Sequence, residues 1–402
     1  MDRRTGLCIA YLNYGDQSGV TAHVTAALEA LGHRVVPVFG RGPLEVRDLV
    51  TRRPRVTPLV IAALAAAAAR FGSQALAYRW NTPFAFDVHS RWAGELLDGL
   101  PVVPDIVLQN GALFAPGRAP RQRYVILLDH TRALAERSPP WPAAGVQAPP
   151  RWGAAWLRRE AATYRGAAAL ATFSEHAARS VVRDYGADPS RVHVVGAGAN
   201  ALPLEVVHSD DGETVLFIGR DFARKGGPVL LDAFARLRRV RPRARLLVAG
   251  PSRPLGLPEG AVQLGPVPLE RVPSLFAQAT VFALPTLHEP FGIAFLDAMA
   301  CAVACVGTRV EAVPEIVEDG RTGTLVPPGD PVALAEALRA LLGDRDRARA
   351  MGAWGRERVL SRFTWARVAA RLGPVLARAA RAPAPAAEPA PSPTLEAHPR
   401  HA

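Results

Sequence analysis

The feature that most constrains the fold is an alternation of short aliphatic segments with longer amphipathic segments, which runs through the chain twice. Segments that are apolar on both faces are typical of parallel strands covered by helices on both sides. In the first half we predict strands at 7–12, 35–39, 106–109, 124–128, 170–173 and 192–195. In the second half we predict strands at 215–218, 244–249, 262–264, 281–284 and 303–306. This alternation favours the α/β class, with two doubly wound domains that face each other across a cleft.

The alternation also predicts the domain boundaries. It stops in a linker near 199–213 and then restarts, so we predict one Rossmann-like domain over 1–203 and a second over 204–362. We expect a C-terminal helix at 363–381 that packs back on the first domain. The Ala/Pro-rich tail, 382–402, has a composition typical of disordered segments.

Composition and hydropathy favour a globular cytoplasmic protein. Hydrophobic residues make up 49% of the chain, and the mean hydropathy is +0.08. The most apolar stretch, 59–69, is too short to cross a bilayer and predicts a core helix instead. The chain runs from Met1 directly into the first predicted strand, so we expect no signal peptide. Three cysteines without paired spacing fit a reducing compartment.

The chain is strongly basic, with a formal net charge of +12 and a pI near 10.7. The excess is spread over both halves, whereas nucleic-acid binding favours a concentrated basic stripe with interleaved aromatic residues. We therefore predict no nucleic-acid partner. The charge suits anionic small ligands or peripheral contact with an anionic membrane surface. A generally arginine-rich composition explains it equally well.

Lys225 is the single lysine among 48 lysine and arginine residues. It lies in the glycine-rich segment 219–227, directly after the predicted strand 215–218, and Arg220 precedes it in the same segment. A strand, a glycine-rich loop and a helix form a common phosphate site, and an ammonium reaches a phosphate in a narrow pocket. We expect Lys225→Ala to abolish stabilisation by nucleoside diphosphates and to leave the apo melting point nearly unchanged. Chance survival of one surface lysine is the alternative.

A second polar constellation follows the predicted strand 281–284. Glu289 lies in the loop, Gly292 and Ile293 begin the next helix, and Asp297 lies on its first turns. Backbone N–H groups at a helix start favour phosphate, and carboxylates accept hydrogen bonds from hydroxyl groups. Together they suit a ligand that carries both phosphates and hydroxyls. An ordinary helix start with two solvated acids is the alternative.

These segments resemble the retaining glycosyltransferases of family 4. The shared motifs are Glu289-Pro290-Phe291-Gly292 with an acid eight positions after Glu289, and the pair Gly219-Arg220 and Lys225-Gly226. Further matches are the small-residue run 302–308, Pro314-Glu315-Ile316-Val317 and the segment 320–326. The resemblance extends from about 214 to 364.

The resemblance implies the GT-B architecture and transfer of a sugar, with retention, from a nucleotide-diphosphate sugar to an unidentified acceptor. It implies that Arg220 and Lys225 stabilise the leaving diphosphate, and that Glu289 contacts hydroxyls of the donor sugar. Its other donor-binding positions are Gly219, Phe291, Gly292, Ile293 and Asp297. Asp297 is expected at the ribose hydroxyls, although the family usually has glutamate there. No cofactor and no divalent metal is implied.

The N-terminal half matches the family more thinly. Gly15 and Gly19 occupy the place of the family's glycine loop after the first strand, where the donor binds. His130 resembles the strand-end histidine near the donor sugar, and a structural turn residue is the alternative. By resemblance, the acceptor binds mainly to this half, and its identity stays open.

Other chemistry is weakly indicated. The sequence 344–346 forms an Asp-x-Asp pattern, but it follows a helical segment and predicts a helix cap. The ten histidines show no metal-binding spacing, so we predict no metal site. Two alternatives to a transferase remain. One is a nucleotide-sugar epimerase or phosphorylase of the same architecture, and the other is a non-catalytic nucleotide-sugar-binding subunit.

Overall fold

The computed structural model describes residues 6–14, 19–38, 42–45, 56–117, 122–146, 151–203, 205 and 208–382. Within these residues the chain forms two six-stranded sheets, in which every strand pair is parallel. Helices alternate with the strands along the chain. The predicted α/β class with two doubly wound domains is confirmed.

The first sheet defines the N-terminal domain. Its strands are β1 (Cys8–Leu12), β2 (Arg34–Val38), β3 (Ile106–Asn110), β4 (Tyr124–Leu128), β5 (Ala169–Thr172) and β6 (Val192–Val194). They are arranged in the order β2-β1-β3-β4-β5-β6. Every residue of β3, β4 and β5 is buried, which explains why these segments are apolar on both faces.

The second sheet defines the C-terminal domain. Its strands are β7 (Thr214–Ile218), β8 (Arg245–Ala249), β9 (Ala261–Gly265), β10 (Val281–Leu284), β11 (Ala304–Thr308) and β12 (Gly323–Val326). They are arranged in the order β12-β11-β10-β7-β8-β9. The strand order reverses between β7 and β10. Ligands of open α/β sheets bind outside the carboxyl ends of the strands at such a switch point.

The α-helices are α1 (Val20–Ala30), α2 (Pro58–Phe71), α3 (Ala75–Tyr78), α4 (Pro83–Asp98), α5 (Arg132–Arg137), α6 (Ala154–Gly166), α7 (Glu175–Arg183), α8 (Gly227–Val240), α9 (Val272–Gln278), α10 (Ile293–Ala300), α11 (Val313–Ile316), α12 (Pro331–Gly343), α13 (Arg345–Arg362) and α14 (Trp365–Arg381). Several begin at a Ser, Thr or Asp side chain that accepts a hydrogen bond from the first turn. These caps are Thr57, Thr82, Thr131, Ser174, Asp330, Asp344 and Thr364.

The structure differs from the sequence-based prediction in three places. The spacing of Val20, Val24, Leu28 and Leu31 predicts that all four lie on the buried face of the first helix. The helix instead ends at Ala30, and Leu31 is 49% exposed. Strand β12 is not predicted, because only two of its four residues, Leu325 and Val326, are aliphatic. Helix α4 lies in a stretch that sequence reasoning leaves unassigned, and it begins at the cap Thr82 followed by proline.

The chain passes between the two domains twice, near Asn200 and near Phe363, and the two crossings lie side by side. The N–H of Ala199 donates to the carbonyl oxygen of Phe363 at 2.9 Å, and the indole of Trp365 donates to Asn200 Oδ1 at 3.1 Å. Helix α14 then lies against α1 and against strands β3, β4 and β5 of the N-terminal sheet. The domain boundary at 203/204 stays a prediction.

Within the described ranges, every helix is too short or too polar to span a bilayer. Residue 15 and the tail over 383–402 lie outside the described residues. The predictions made for them, a donor-binding glycine and a disordered segment, therefore remain predictions.

Candidate functional site

Two loops meet at the switch point of the C-terminal sheet. The loop after β7 carries Arg220 and Lys225, and the loop after the neighbouring strand β10 carries Glu289. The loops touch at Gly226, which caps α8 with φ of +75°. A Cβ atom at Gly226 would lie 1.8 Å from the carbonyl oxygen of Pro285. Only glycine, which has no Cβ atom, allows the two loops to come this close.

Lys225 and Glu289 form an ion pair between these loops. The side chain of Lys225 is 15% exposed and that of Glu289 is 6% exposed. In water such a pair contributes little, but a carboxylate this deeply buried needs a charged partner. Each group is therefore the other's counterion when no ligand is present.

Arg220 lies at the edge of the same site. Its side chain is exposed, and within the described part of the chain it has no ion-pair partner. The preceding Gly219 is closely packed, because a Cβ atom there would lie 3.1 Å from Lys225 Cγ. Arg220 is thus a cation that can turn toward an anionic ligand without breaking an existing pair.

Helix α10 begins beside the ion pair. Gly292 is its N-cap, with φ of +115°, and Ile293 is its first residue. Among the described residues no side chain caps this helix. The amide of Phe295 donates to the carbonyl oxygen of Gly292 at 3.0 Å, and the amides of Ile293 and Ala294 lack intrahelical acceptors. Phe291 is buried, and its ring packs edge to face on Phe173 of the N-terminal domain at 5.5 Å. Phe291 thus contributes an interdomain contact next to the helix start.

Asp297 lies on α10, facing the crossing between the domains. Its Oδ1 accepts hydrogen bonds from the N–H groups of Asn200 at 2.6 Å and Ala201 at 2.8 Å. Within the described residues, no hydrogen bond to Oδ2 is formed. Burial raises the pKa of Asp297 to about 7, and the two amide hydrogen bonds only partly oppose this. The carboxylate therefore anchors the crossing and keeps one oxygen for another donor.

The raised pKa of Asp297 predicts a pH-dependent stability. The folded state binds the proton of Asp297 more tightly than the unfolded state does. The stabilisation that this proton gives to the folded state is therefore complete below about pH 4 and is lost as the pH rises through about 7. Asp297→Asn keeps an acceptor oxygen but cannot ionise. At pH 8 we expect it to be more stable than the wild type by on the order of 1 kcal/mol, or about 2–4 °C in Tm.

The measurement is a set of thermal melts of both proteins between pH 4 and 8. The exposed Asp232, which pairs with Arg236 on α8, supplies the control Asp232→Asn. A constant Tm difference between Asp297→Asn and wild type across this range would contradict the assignment.

Glu311 connects His130 to the loop that carries Glu289. Glu311 Oε1 lies 3.2 Å from His130 Nε2 and 2.8 Å from His288 Nδ1, and Oε2 accepts from the N–H of Glu289. Burial raises the pKa of Glu311, but the hydrogen bonds from the two histidines outweigh it and leave the pKa well below its usual range. His130 therefore lies in the same cluster as Glu289 but does not contact it directly.

Sequence reasoning missed Glu311 and Ser138, and it assigned no contact to Glu315. Glu311 lies in the loop after β11, and an acid at the carboxyl end of a parallel strand is the signal that could have found it. Ser138 lies 2.8 Å from His288 Nδ1. Glu315, quoted above only as part of a motif, accepts hydrogen bonds from the N–H groups of Glu175 and His176 at 2.8 Å each. These contacts join the two domains around the site.

The remaining candidate residues lie outside this cluster. Gly19 caps α1 with φ of +74°, and a Cβ atom there would lie 3.5 Å from Asn200 Nδ2. Gly19 is thus on the Asp297 side of the site. Asp344 caps α13 by accepting from the N–H of Arg347 at 2.9 Å, which confirms the predicted helix cap.

This chain resembles known proteins in sequence. Residues 212–344 match the family model described as Glycosyl transferases group 1. The chain is 36% identical over 250 residues to alpha-maltose-1-phosphate synthase of Mycolicibacterium smegmatis, covering 53% of this chain and 63% of that protein. It is 31% identical over 243 residues to D-inositol 3-phosphate glycosyltransferase of Corynebacterium efficiens, covering 53% and 57%. The chain thus spans less than two thirds of these relatives.

Solved structures share the fold over nearly the whole chain. Sucrose-phosphate synthase from Thermosynechococcus elongatus superposes with a TM-score of 0.65 at 20% identity, covering 92% of this chain and 98% of that chain. HepE of Anabaena, in complex with UDP and glucose, gives a TM-score of 0.64 at 16% identity, covering 92% and 99%. These likenesses confirm the predicted GT-B architecture.

Proposed function

We propose that this chain, whose residues 212–344 match the glycosyl transferases group 1 family model, is a retaining glycosyltransferase of that family. It transfers a sugar from a nucleotide-diphosphate sugar to an acceptor, and it needs no divalent metal. The relatives named above differ in their products and acceptors, so the proposal assigns no acceptor.

The observation that carries the proposal is the Lys225–Glu289 pair at the switch point. A buried cation and a buried carboxylate stand beside the uncapped start of α10. A nucleotide-diphosphate sugar offers a partner to each, because its phosphates suit the ammonium and its sugar hydroxyls suit the carboxylate. The bound donor would thus replace one ion pair by two sets of charge-assisted contacts.

The chemical need in this reaction is stabilisation of the leaving group. As the bond between the sugar and the phosphate breaks, negative charge grows on the diphosphate. Lys225, Arg220 and the amides at the start of α10 would stabilise that charge without a metal ion. In the front-face course implied by retention, the acceptor oxygen bonds to the anomeric carbon on the face that the phosphate leaves. A phosphate oxygen takes the acceptor's proton.

Asp297 would hold the nucleoside end of the donor. Its Oδ1 is fixed by the amides of Asn200 and Ala201, and Oδ2 would accept from a ribose hydroxyl. The two amides orient the carboxylate. This orientation compensates for the shorter side chain of aspartate at a position where the family usually has glutamate.

The first test separates an enzyme from a binding subunit. Nucleoside diphosphates and their sugars are screened by thermal shift, and a true donor at about one hundred times its Kd should add about 2.7 kcal/mol of stability. That donor is then incubated without acceptor, and slow release of free sugar is expected. Binding without any sugar release over long incubation would instead favour the non-catalytic alternative.

The second test addresses metal independence. Turnover of the donor, measured as sugar release, should not fall when a chelator is added. The control is an excess of Mg²⁺ added after chelation. It should leave turnover unchanged, because the chelator has not lowered it. Complete loss of turnover with the chelator would contradict the proposed mechanism.

The location is part of the same proposal. Cys8, Cys301 and Cys305 are all free, which suits a reducing cytoplasm. A net charge of +12 suits peripheral contact with an anionic membrane surface. Cosedimentation with vesicles of anionic and of neutral lipid measures that contact.

A further inference from the structure

Three metal-ligating side chains from both domains converge beside the donor site. They are His130, which follows β4, His176 in the first turn of α7, and Glu311, which follows β11. We name these three residues the interdomain cluster. Their ligand atoms all lie within 4.8 Å of one another, and each residue is partly buried. Sequence spacing cannot reveal this cluster, because its members come from distant parts of the chain.

His176 carries an unexplained polar atom. Its Nε2 is buried and, within the described residues, has no hydrogen-bond partner. Leaving a buried polar atom unpaired costs free energy, so such atoms are rare unless a ligand satisfies them. The backbone of His176 is held by Glu315, whose Oε1 accepts its N–H at 2.8 Å. The ring thus remains beside His130, with centroids 6.5 Å apart and planes at 24°.

The distances suit a small cation. In a tetrahedral site with bonds of about 2.0–2.1 Å, ligand atoms lie roughly 3.3 Å apart. The His130 Nε2 to Glu311 Oε1 distance is 3.2 Å, and the ligand atom of His176 lies within 4.8 Å of both, so it would approach by up to about 1.5 Å. Two imidazoles and one carboxylate form a donor set that zinc uses with a fourth position open. Magnesium prefers an all-oxygen shell and fits these ligands poorly.

We propose that the interdomain cluster binds a divalent transition-metal ion of the zinc class, which links the two domains. Glu311 also holds the N–H of Glu289 and the ring of His288, so the bound ion would fix the Glu289 loop and the domain contact together. The ion would thereby restrict entry of the donor and inhibit turnover. The inhibition rests on the proposed function, whereas the binding does not.

Binding is tested on the full chain after removal of metal. Zn²⁺ is titrated against a chromophoric chelator, and we expect one ion per chain for the wild type. His176→Ala should weaken zinc binding by at least about tenfold. This variant removes a ring whose Nε2 has no partner within the described residues, so folding should survive. His193→Ala, a partly buried histidine on β6 outside the cluster, is the matched control and should keep wild-type affinity.

The outcomes separate the claims. Absence of zinc binding at micromolar concentration, or equal affinity in wild type and His176→Ala, overturns the site. Glu311→Gln provides a second variant, and retained zinc affinity there would also overturn it. Mg²⁺ should not compete in the titration, and competition by Mg²⁺ would contradict the ligand assignment.

Inhibition is measured as each protein's turnover with zinc relative to its own turnover without zinc. The wild type and His193→Ala should fall together, and His176→Ala should resist. If zinc binds as expected but turnover is unaffected, the site stands and its inhibitory role is wrong. If no donor is turned over at all, the proposed function fails while the zinc titration still decides the site.

Discussion

Replacing Lys225 with alanine should lower turnover of the donor by on the order of 10²–10³-fold, and it should also destabilise the protein without ligand. The first effect follows from the loss of a cation facing the leaving diphosphate. The second follows from the ion pair with Glu289, whose side chain is only 6% exposed and would be left buried without a counterion. We expect a loss of about 1–3 kcal/mol in the free energy of unfolding.

The second effect corrects the expectation drawn from the sequence. As a surface cation, Lys225 could be removed with little change in the apo melting point. The pair with Glu289 means that its removal has a structural cost. Thermal or urea unfolding of the apo variant measures that cost directly.

A double-mutant cycle isolates the pair. Lys225→Ala and Glu289→Gln are each compared with the double variant, and the coupling should be about 1–3 kcal/mol. Arg220→Ala is the matched control, because Arg220 lies in the same loop as Lys225 but is exposed and has no ion-pair partner within the described residues. It should weaken diphosphate binding and leave the apo Tm unchanged. Additive effects in the cycle, or an unchanged diphosphate shift in Lys225→Ala, would contradict the assignment.

The fold was predictable because the central strands of both sheets are buried on both faces. Segments such as β4 and β10 are wholly buried, so their aliphatic runs carry the parallel-sheet signal directly. Strand β12 carries a weaker signal, since only two of its four residues are aliphatic and its first residue, Gly323, lies close against β11. A Cβ atom at Gly323 would lie 2.4 Å from the carbonyl oxygen of Cys305. Its place in the sheet depends on this tertiary contact rather than on its own pattern.

The places of single candidate residues in the fold could be predicted from the sequence, but the contacts between them could not, and their roles stay predictions. The positions of Lys225 and Glu289 follow from loops at strand ends, and both were expected to face a ligand. Their mutual pairing depends on β7 and β10 being neighbours in the sheet, which their order along the chain does not reveal. Glu311 was missed for a related reason. Its partners His130 and His288 come from different domains, and only the contact between the two domains brings them together.

The close contact between the two loops also predicts the effect of adding a single methyl group at Gly226. Gly226→Ala should destabilise the protein by about 2–4 kcal/mol and lower donor turnover at least about hundredfold. The added Cβ atom would lie 1.8 Å from the carbonyl oxygen of Pro285, which is backbone and cannot rotate away. At φ of +75°, alanine also adopts a left-handed conformation that costs about 1 kcal/mol.

The loops must therefore separate, and the separation moves Lys225 away from Glu289. Gly256→Ala is the matched control, because no atom lies within 4 Å of its added Cβ and its φ is outside the left-handed region. It should stay within about 0.5 kcal/mol of wild type and keep full turnover. Unfolding curves and initial rates of sugar release are measured for both variants. If Gly226→Ala matched the wild type in both, contact between the two loops would not be what positions Lys225, and the proposed site would lose its structural basis.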